Sequence, residues 1–273
     1  MDFDRDRYLE RIGLDACAPT RQGLDALLRA QLAAMPFEDI DPYLGQVPNL
    51  APDAVWRKLV DGRRGGYCFE LNALFGRALE AFGFAFRPIL ARVRMGMLAG
   101  GPRAHLAWIV RVDGEDLLAD AGFGGPGPCG ALAPVVGTEP DLGDRRFRFR
   151  RDPATGEVVL DRWSGAGWFA LYGYTEAPFS EVDVEGANFL CSRWPALPFV
   201  DNLMISVHRD DTHVTLMNRA LKVDGPAGVV ERTLRSRADL ADTLVGAFGL
   251  GLDRQTVDAI WSRLDAAATG IAA

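Results

Sequence analysis

Cys68 follows Gly65-Gly66-Tyr67 and precedes a strongly periodic segment, which places its thiol at the start of a helix. A helix N-terminus presents unpaired N–H groups and the positive end of the dipole, so the expectation is a lowered thiol pKa and a nucleophilic thiolate. The same N–H groups would stabilise an oxyanion on an acyl carbon attacked by that sulfur. The plain alternative is a small buried side chain, the usual fate of a free cysteine.

A thiol nucleophile needs a base, and the chain has three histidines, His105, His208 and His213. Asp113-Gly114 suits a two-residue hairpin between strands His105–Val112 and Glu115–Asp120. In that register Val112 faces Glu115, Ala107 faces Asp120, and His105 lies on the same face as the diagonal neighbour of Asp120. Asp120 could then fix the imidazole tautomer and stabilise the imidazolium, completing a Cys-His-Asp triad. The alternative is two solvated residues, and a slip of one residue would put them on opposite faces. His208 and His213 flank Arg209-Asp210-Asp211-Thr212 at a spacing unlike a helical zinc site, so a turn of solvated polar residues and no metal are expected. Gly122-Phe123-Gly124-Gly125-Pro126-Gly127-Pro128 follows Asp120 directly. Its glycines permit concave rows of N–H groups suited to a pyrophosphate, although the spacing is neither a P-loop nor a Rossmann fingerprint.

The elements that must position these groups are legible as patterns. Thr20 is a good N-cap, after which Leu24, Leu27, Leu28 and Leu32 recur at helical spacing until Pro36. A shorter helix is expected over Asp53–Val60, ending at Gly62. The helix after Cys68 carries Leu71, Leu74, Phe75, Ala78, Leu79 and Phe82 on one face and closes at Gly83. From Phe84 to about Thr175 strands and turns dominate, with Phe147–Arg151, Val158–Trp163 and Trp168–Tyr174 joined by short loops. Met204–His208 and Val214–Met217 read as strands, and Ser236–Phe248 and Asp253–Leu264 as amphipathic helices. The fold class is α+β: a helical bundle over 1–83 carrying the nucleophile, an antiparallel β-barrel over 84–190 carrying His and Asp, and an α/β lid over 191–273.

Composition narrows the classes. Apolar residues make up 48% and charged residues 25% of the 273 positions, as in a globular enzyme. The charged N-terminus lacks a secretory h-region, and no apolar run approaches a membrane span. Cys17, Cys68, Cys129 and Cys191 form no C-x-x-C pair, so reduced thiols in a cytoplasmic protein are expected. A net charge of -7 weighs against nucleic-acid binding.

Arg64-Gly65-Gly66-Tyr67-Cys68-Phe69-Glu70-Leu71-Asn72 resembles the R-G-G-x-C-x-E-x-N signature of the arylamine N-acetyltransferases. Tyr8-Leu9-x-Arg11-Ile12-Gly13, Pro36-Phe37-Glu38, Asp120-x-Gly122-Phe123-Gly124 and Asn188-x-x-x-Ser192-x-x-Pro195-x-x-x-Phe199 extend the resemblance in the expected order. It implies a cysteine-protease-like core with the triad Cys68, His105 and Asp120. It further implies acetyl transfer from acetyl-coenzyme A to an arylamine or hydrazine by a ping-pong route through an acetyl-cysteine. Phe37, Val93, Phe123 and Phe199 would line the pocket, and Gly122, Phe123, Gly124 and Gly125 would receive coenzyme A. Asp39 departs from the usual Asn, and Trp194 replaces a smaller or polar residue and could narrow the cleft near Phe199. Rival readings are an amide synthase closing a macrolactam and a cysteine peptidase or transglutaminase.

Overall fold

The computed structural model describes residues 3–143, 145–209 and 211–269. Helix α1 (Arg5–Ile12) is capped by the Asp4 carboxylate, which accepts the Arg7 N–H at 3.1 Å, and α2 (Arg21–Ala34) by Thr20, whose hydroxyl accepts the Gly23 N–H at 3.1 Å. A two-residue strand β1 (Phe37–Glu38) and a short helix α3 (Ile40–Tyr43) follow. The helix expected over Asp53–Val60 begins as α4 (Pro52–Trp56) but then widens into a π turn (Arg57–Asp61), in which the Gly62 N–H reaches the Arg57 carbonyl at 2.8 Å. Helix α5 (Cys68–Ala81) starts on the cysteine itself.

The apolar faces of α1, α2, α4 and α5 enclose Tyr8, Leu24, Leu28, Trp56 and Phe75, packed against Val110, Val112 and Leu117 of the neighbouring sheet. Helix α5 approaches that sheet so closely that a Cβ on Gly76 would lie 2.3 Å from the Trp108 ring, whose Nε1 donates to the Asn72 carbonyl at 2.8 Å. Gly76→Ala is therefore expected to destabilise the fold by about 1–3 kcal/mol through overpacking, measured as a lower urea midpoint.

The sheet contains β2 (Ala85–Val93), β3 (Arg103–Val112), β4 (Glu115–Ala119), β5 (Phe147–Arg151), β6 (Val158–Trp163) and β7 (Trp168–Tyr174), in the order β4-β3-β2-β7-β6-β5. All neighbours are antiparallel. The expected barrel is realised as a curled half-barrel. The gap between edge strands β4 and β5 is spanned by an irregular segment: Leu132 exchanges backbone hydrogen bonds with Leu118 at 2.7 and 3.0 Å, and Gly137 and Thr138 bond Phe149 at 2.8 and 3.1 Å. Pro134, Gly137 and Pro140 interrupt that segment and keep it from becoming a seventh strand.

Helix α6 (Glu181–Arg193), unforeseen in the sequence, packs across β3. Strands β8 (Met204–Arg209), β9 (Thr212–Met217), β10 (Ala220–Gly225) and β11 (Gly228–Thr233) form a second antiparallel sheet with β1, which takes the edge beside β8, Phe37 facing Ser206. Helices α7 (Arg237–Gly246) and α8 (Arg254–Thr269) cover it, burying Leu240, Leu244, Phe248 and Ile260 together with Ile40 and Tyr43. Asp210, part of the turn predicted between the two later histidines, lies outside the described residues. Among the described residues no helix is long and apolar enough to cross a membrane.

Candidate active site

The loop before Cys68 is held by buried charge. Lys58, on the π turn, bonds Asp41 and Glu70 at 2.7 Å each, while Arg64 bonds Glu38 at 2.6 Å and Asp41 at 3.0 Å. Glu70 also accepts the Tyr67 N–H at 3.2 Å, tying the first turn of α5 to the network. The two glycines are steric necessities: a Cβ on Gly65 would lie 2.1 Å from the Pro36 carbonyl oxygen, and one on Gly66 2.9 Å from the Glu70 carboxylate. The Tyr67 hydroxyl donates to the Asn188 side chain and lies 3.3 Å from Ser192 Oγ, so α6 closes the nucleophile from above.

Cys68 is 4% exposed, and its Sγ lies 3.8 Å from the Ala104 carbonyl oxygen, which Cys191 Sγ approaches at the same distance. The expectation of a lowered thiol pKa is corrected. Burial pushes the thiol well above its ordinary value, and Cys191 and Asp120 reinforce the rise against the opposing N–H groups of Leu106 and Phe69. A helix dipole acts through exposed end groups, and desolvation of a buried sulfur outweighs it here.

The hairpin forms in the predicted register. Asp113 and Gly114 turn the chain with φ of 50° and 83°, Val112 faces Glu115, and the ladder ends at Trp108 and Ala119. Asp120 follows one residue later, and its Oδ2 lies 2.7 Å from His105 Nε2. The other oxygen accepts Asn72 Nδ2 and the Gly122 N–H, each at 3.1 Å. Burial alone would raise the Asp120 pKa, but the His105 ring and these hydrogen bonds outweigh it and hold the carboxyl below its ordinary value. An ionised Asp120 makes Nε2 the donor and leaves Nδ1 as the basic ring nitrogen.

Two neighbours of this pair have no role assigned from the sequence, although Asn72 ends the signature around Cys68. Asn72 also donates to the Leu106 carbonyl at 2.7 Å and accepts the Ala121 N–H at 3.0 Å, locking α5 to the segment that carries Asp120. Its spacing of four from Cys68, on one helix face, was the available signal. Tyr172 on β7 places its ring 4.9 Å from both His105 and Phe123, tilted by 48° and 52°. Only the β2–β7 pairing brings it there, and no local pattern announces that pairing.

Cys68 and His105 open onto a cavity of about 350 Å³. Phe37, Val93, Phe123 and Phe199 all line it, as do Gly122, Gly125, Met95, Met204 and Met217. Gly124 lies behind the wall, where a Cβ would come 3.0 Å from the Phe37 ring. Trp194, expected to narrow the cleft, sits half-exposed at the end of α6 and is not part of the lining. Asp39 does brace the N-terminal region: its Oδ1 accepts the Met204 N–H at 2.8 Å, where β1 meets β8.

His208 and His213 correct another expectation. They are not solvated turn residues but facing partners on β8 and β9, with rings stacked 4.2 Å apart at 6°. Burial first, then like-charged neighbours, lower their pKa values to about 2 and about 3, so both stay neutral. Among the described residues, no group of three His, Cys, Asp or Glu could hold a metal ion.

Residues 21–257 match a family model described as N-acetyltransferase. The chain is 33% identical to an arylamine N-acetyltransferase of Mycolicibacterium smegmatis, across 92% of this chain and 94% of that one. The solved arylamine N-acetyltransferase of Salmonella typhimurium superposes with a TM-score of 0.89 at 29% identity, covering 96% of this chain and 97% of that chain. The Mycobacterium marinum arylamine N-acetyltransferase in complex with CoA superposes with a TM-score of 0.86 at 32% identity, covering 96% and 98%.

Proposed function

From the premise that this chain belongs to the arylamine N-acetyltransferase family, we propose that it moves an acetyl group from acetyl-coenzyme A to the nitrogen of an aromatic amine or hydrazine through Cys68. The observation that carries the reading is one apolar cavity lined by both Cys68 and His105, whose ring meets the buried Asp120 carboxylate behind it at 2.7 Å. The reading treats α5 with β3 and β4 as a cysteine-protease-like core and the second sheet with α7 and α8 as its lid.

In this scheme the buried thiol loses its proton to His105 as sulfur attacks the thioester carbonyl. The N–H groups of Leu106 and Phe69 soften the charge on sulfur, and Asp120 stabilises the imidazolium. Coenzyme A leaves as its thiol, carrying the proton that His105 took from Cys68, and an acetyl-cysteine remains; the amine then attacks it with neutral His105 accepting the amine proton and returning it to the departing Cys68 sulfur. Two half-reactions on one thiol give ping-pong kinetics. Gly122, Phe123, Gly124 and Gly125 would receive the coenzyme at the mouth, while Phe37, Val93, Phe123 and Phe199 hold the aromatic ring. A cavity of about 350 Å³ suits a single arylamine better than a macrolactam precursor.

Incubation with acetyl-coenzyme A alone is expected to leave one acetyl group on Cys68, found by peptide mass spectrometry, and added arylamine should discharge it. Peptide cleavage without an adduct would overturn the reading in favour of a peptidase.

A further inference from the structure

The glycine-rich loop after Asp120 contains two Gly-Pro steps, Gly125-Pro126 and Gly127-Pro128. Proline has no N–H, so each step removes one backbone donor from the loop, and the Gly125 and Gly127 carbonyls are satisfied instead by a side chain. Arg145, only 5% exposed, provides it: its Nη1 donates to the Gly125 and Gly127 carbonyls at 2.9 Å each. Its Nη2 lies 3.3 Å from His208 Nδ1, which accepts only in the neutral ring, and His208 is backed by the parallel His213 ring at 4.2 Å. Cys129 Sγ reaches the same Nδ1 at 3.5 Å. The Gly127 N–H returns to the Gly124 carbonyl at 3.0 Å, so the turn is closed within itself and anchored from beneath. On its other side Gly125 and Pro126 line the cavity that holds Cys68.

We propose that Arg145, supported by the His208–His213 stack, is a positioning residue for coenzyme A, holding the loop in the shape that receives the cofactor without itself touching the reacting atoms. The proposal rests on the acetyl-coenzyme A reading given above. A planar guanidinium serves two carbonyls and an imidazole nitrogen at once, whereas an ammonium in the same place keeps the charge but loses the fork. The chemistry at Cys68 needs only the triad, so the effect belongs in cofactor recognition.

The test compares two acyl donors. For Arg145→Lys the KM for acetyl-coenzyme A is expected to rise about tenfold, the loss of one or two charge-assisted hydrogen bonds. The rate of Cys68 acetylation by p-nitrophenyl acetate, an activated ester with no coenzyme moiety, should change by less than about twofold. His208→Phe keeps the ring and removes the acceptor; it should raise the same KM by about threefold, and it carries the test if the lysine variant does not fold. An unchanged KM for acetyl-coenzyme A overturns the proposal, as does an equal fall with both donors, which is the mark of a merely structural role. A parent protein acetylated by the ester but not by acetyl-coenzyme A would remove the coenzyme reading itself, and this proposal with it.

Discussion

Cys68→Ala is expected to reduce acetyl transfer from acetyl-coenzyme A to an aromatic amine by about 10⁴-fold or more, the scale on which removal of a covalent nucleophile acts. The prediction is severe because, among the described residues, Cys68 is the only thiol lining the cavity. Cys191 approaches the same Ala104 carbonyl at 3.8 Å, but its thiol is fully buried, pushed up to about 12 by that burial, and not part of the cavity lining. The variant should fold. Alanine keeps the backbone of the first turn of α5, and Glu70 still caps it through the Tyr67 N–H. A midpoint of thermal unfolding close to that of the parent, beside initial rates at background, is the expected pair of results. A variant that acetylated amines at a tenth of the parental rate would remove Cys68 from the mechanism.

How much of this was legible in the residues depended on the range of the interaction. Helix α2, its Thr20 cap and the β3–β4 hairpin follow from local spacing and turn chemistry, and the hairpin register alone put His105 and Asp120 on one face. The pairing of β1 with β8 joins residues more than 160 positions apart, and no pattern at either end announces it. Helix α6 escaped notice because its apolar stripe is weak. It is held instead by particular contacts, Asn188 with Tyr67 and with the Pro48 carbonyl at 2.9 Å. The error over the Cys68 pKa has the same origin. Chain position predicts the dipole, but desolvation depends on what α6 and β3 place over the sulfur. His208 and His213 misled similarly: the residues between them read as a solvated turn, while the hairpin they close is pressed against Arg145 and Cys129.

The high intrinsic pKa of the thiol makes Asp120 the second decisive residue. If the sulfur cannot ionise cheaply alone, the reactive state is a thiolate and imidazolium formed together, and its stability depends on the carboxylate 2.7 Å from Nε2. Asp120→Asn preserves shape and the Asn72 contact but removes the charge. It also allows the amide to present its N–H₂ to Nε2, favouring the wrong tautomer. The expected loss in kcat/KM is about 10²–10⁴-fold. Alkylation of Cys68 by iodoacetamide should slow in parallel, with its pH profile displaced to higher pH, because losing the carboxylate that stabilises the imidazolium partner outweighs losing the direct repulsion between Asp120 and the thiolate. The stability consequence has the opposite pH sense. The folded carboxyl of Asp120 is held below its ordinary value, so ionised Asp120 adds stability above the unfolded carboxylate range, and that contribution is lost as pH falls through the depressed folded value. The parent should therefore lose stability in acid below about pH 4 more steeply than Asp120→Asn, which has no proton to take up there. An asparagine variant with parental alkylation kinetics would mean that His105 does not share its charge with Asp120, and the triad would reduce to a cysteine beside a structural pair.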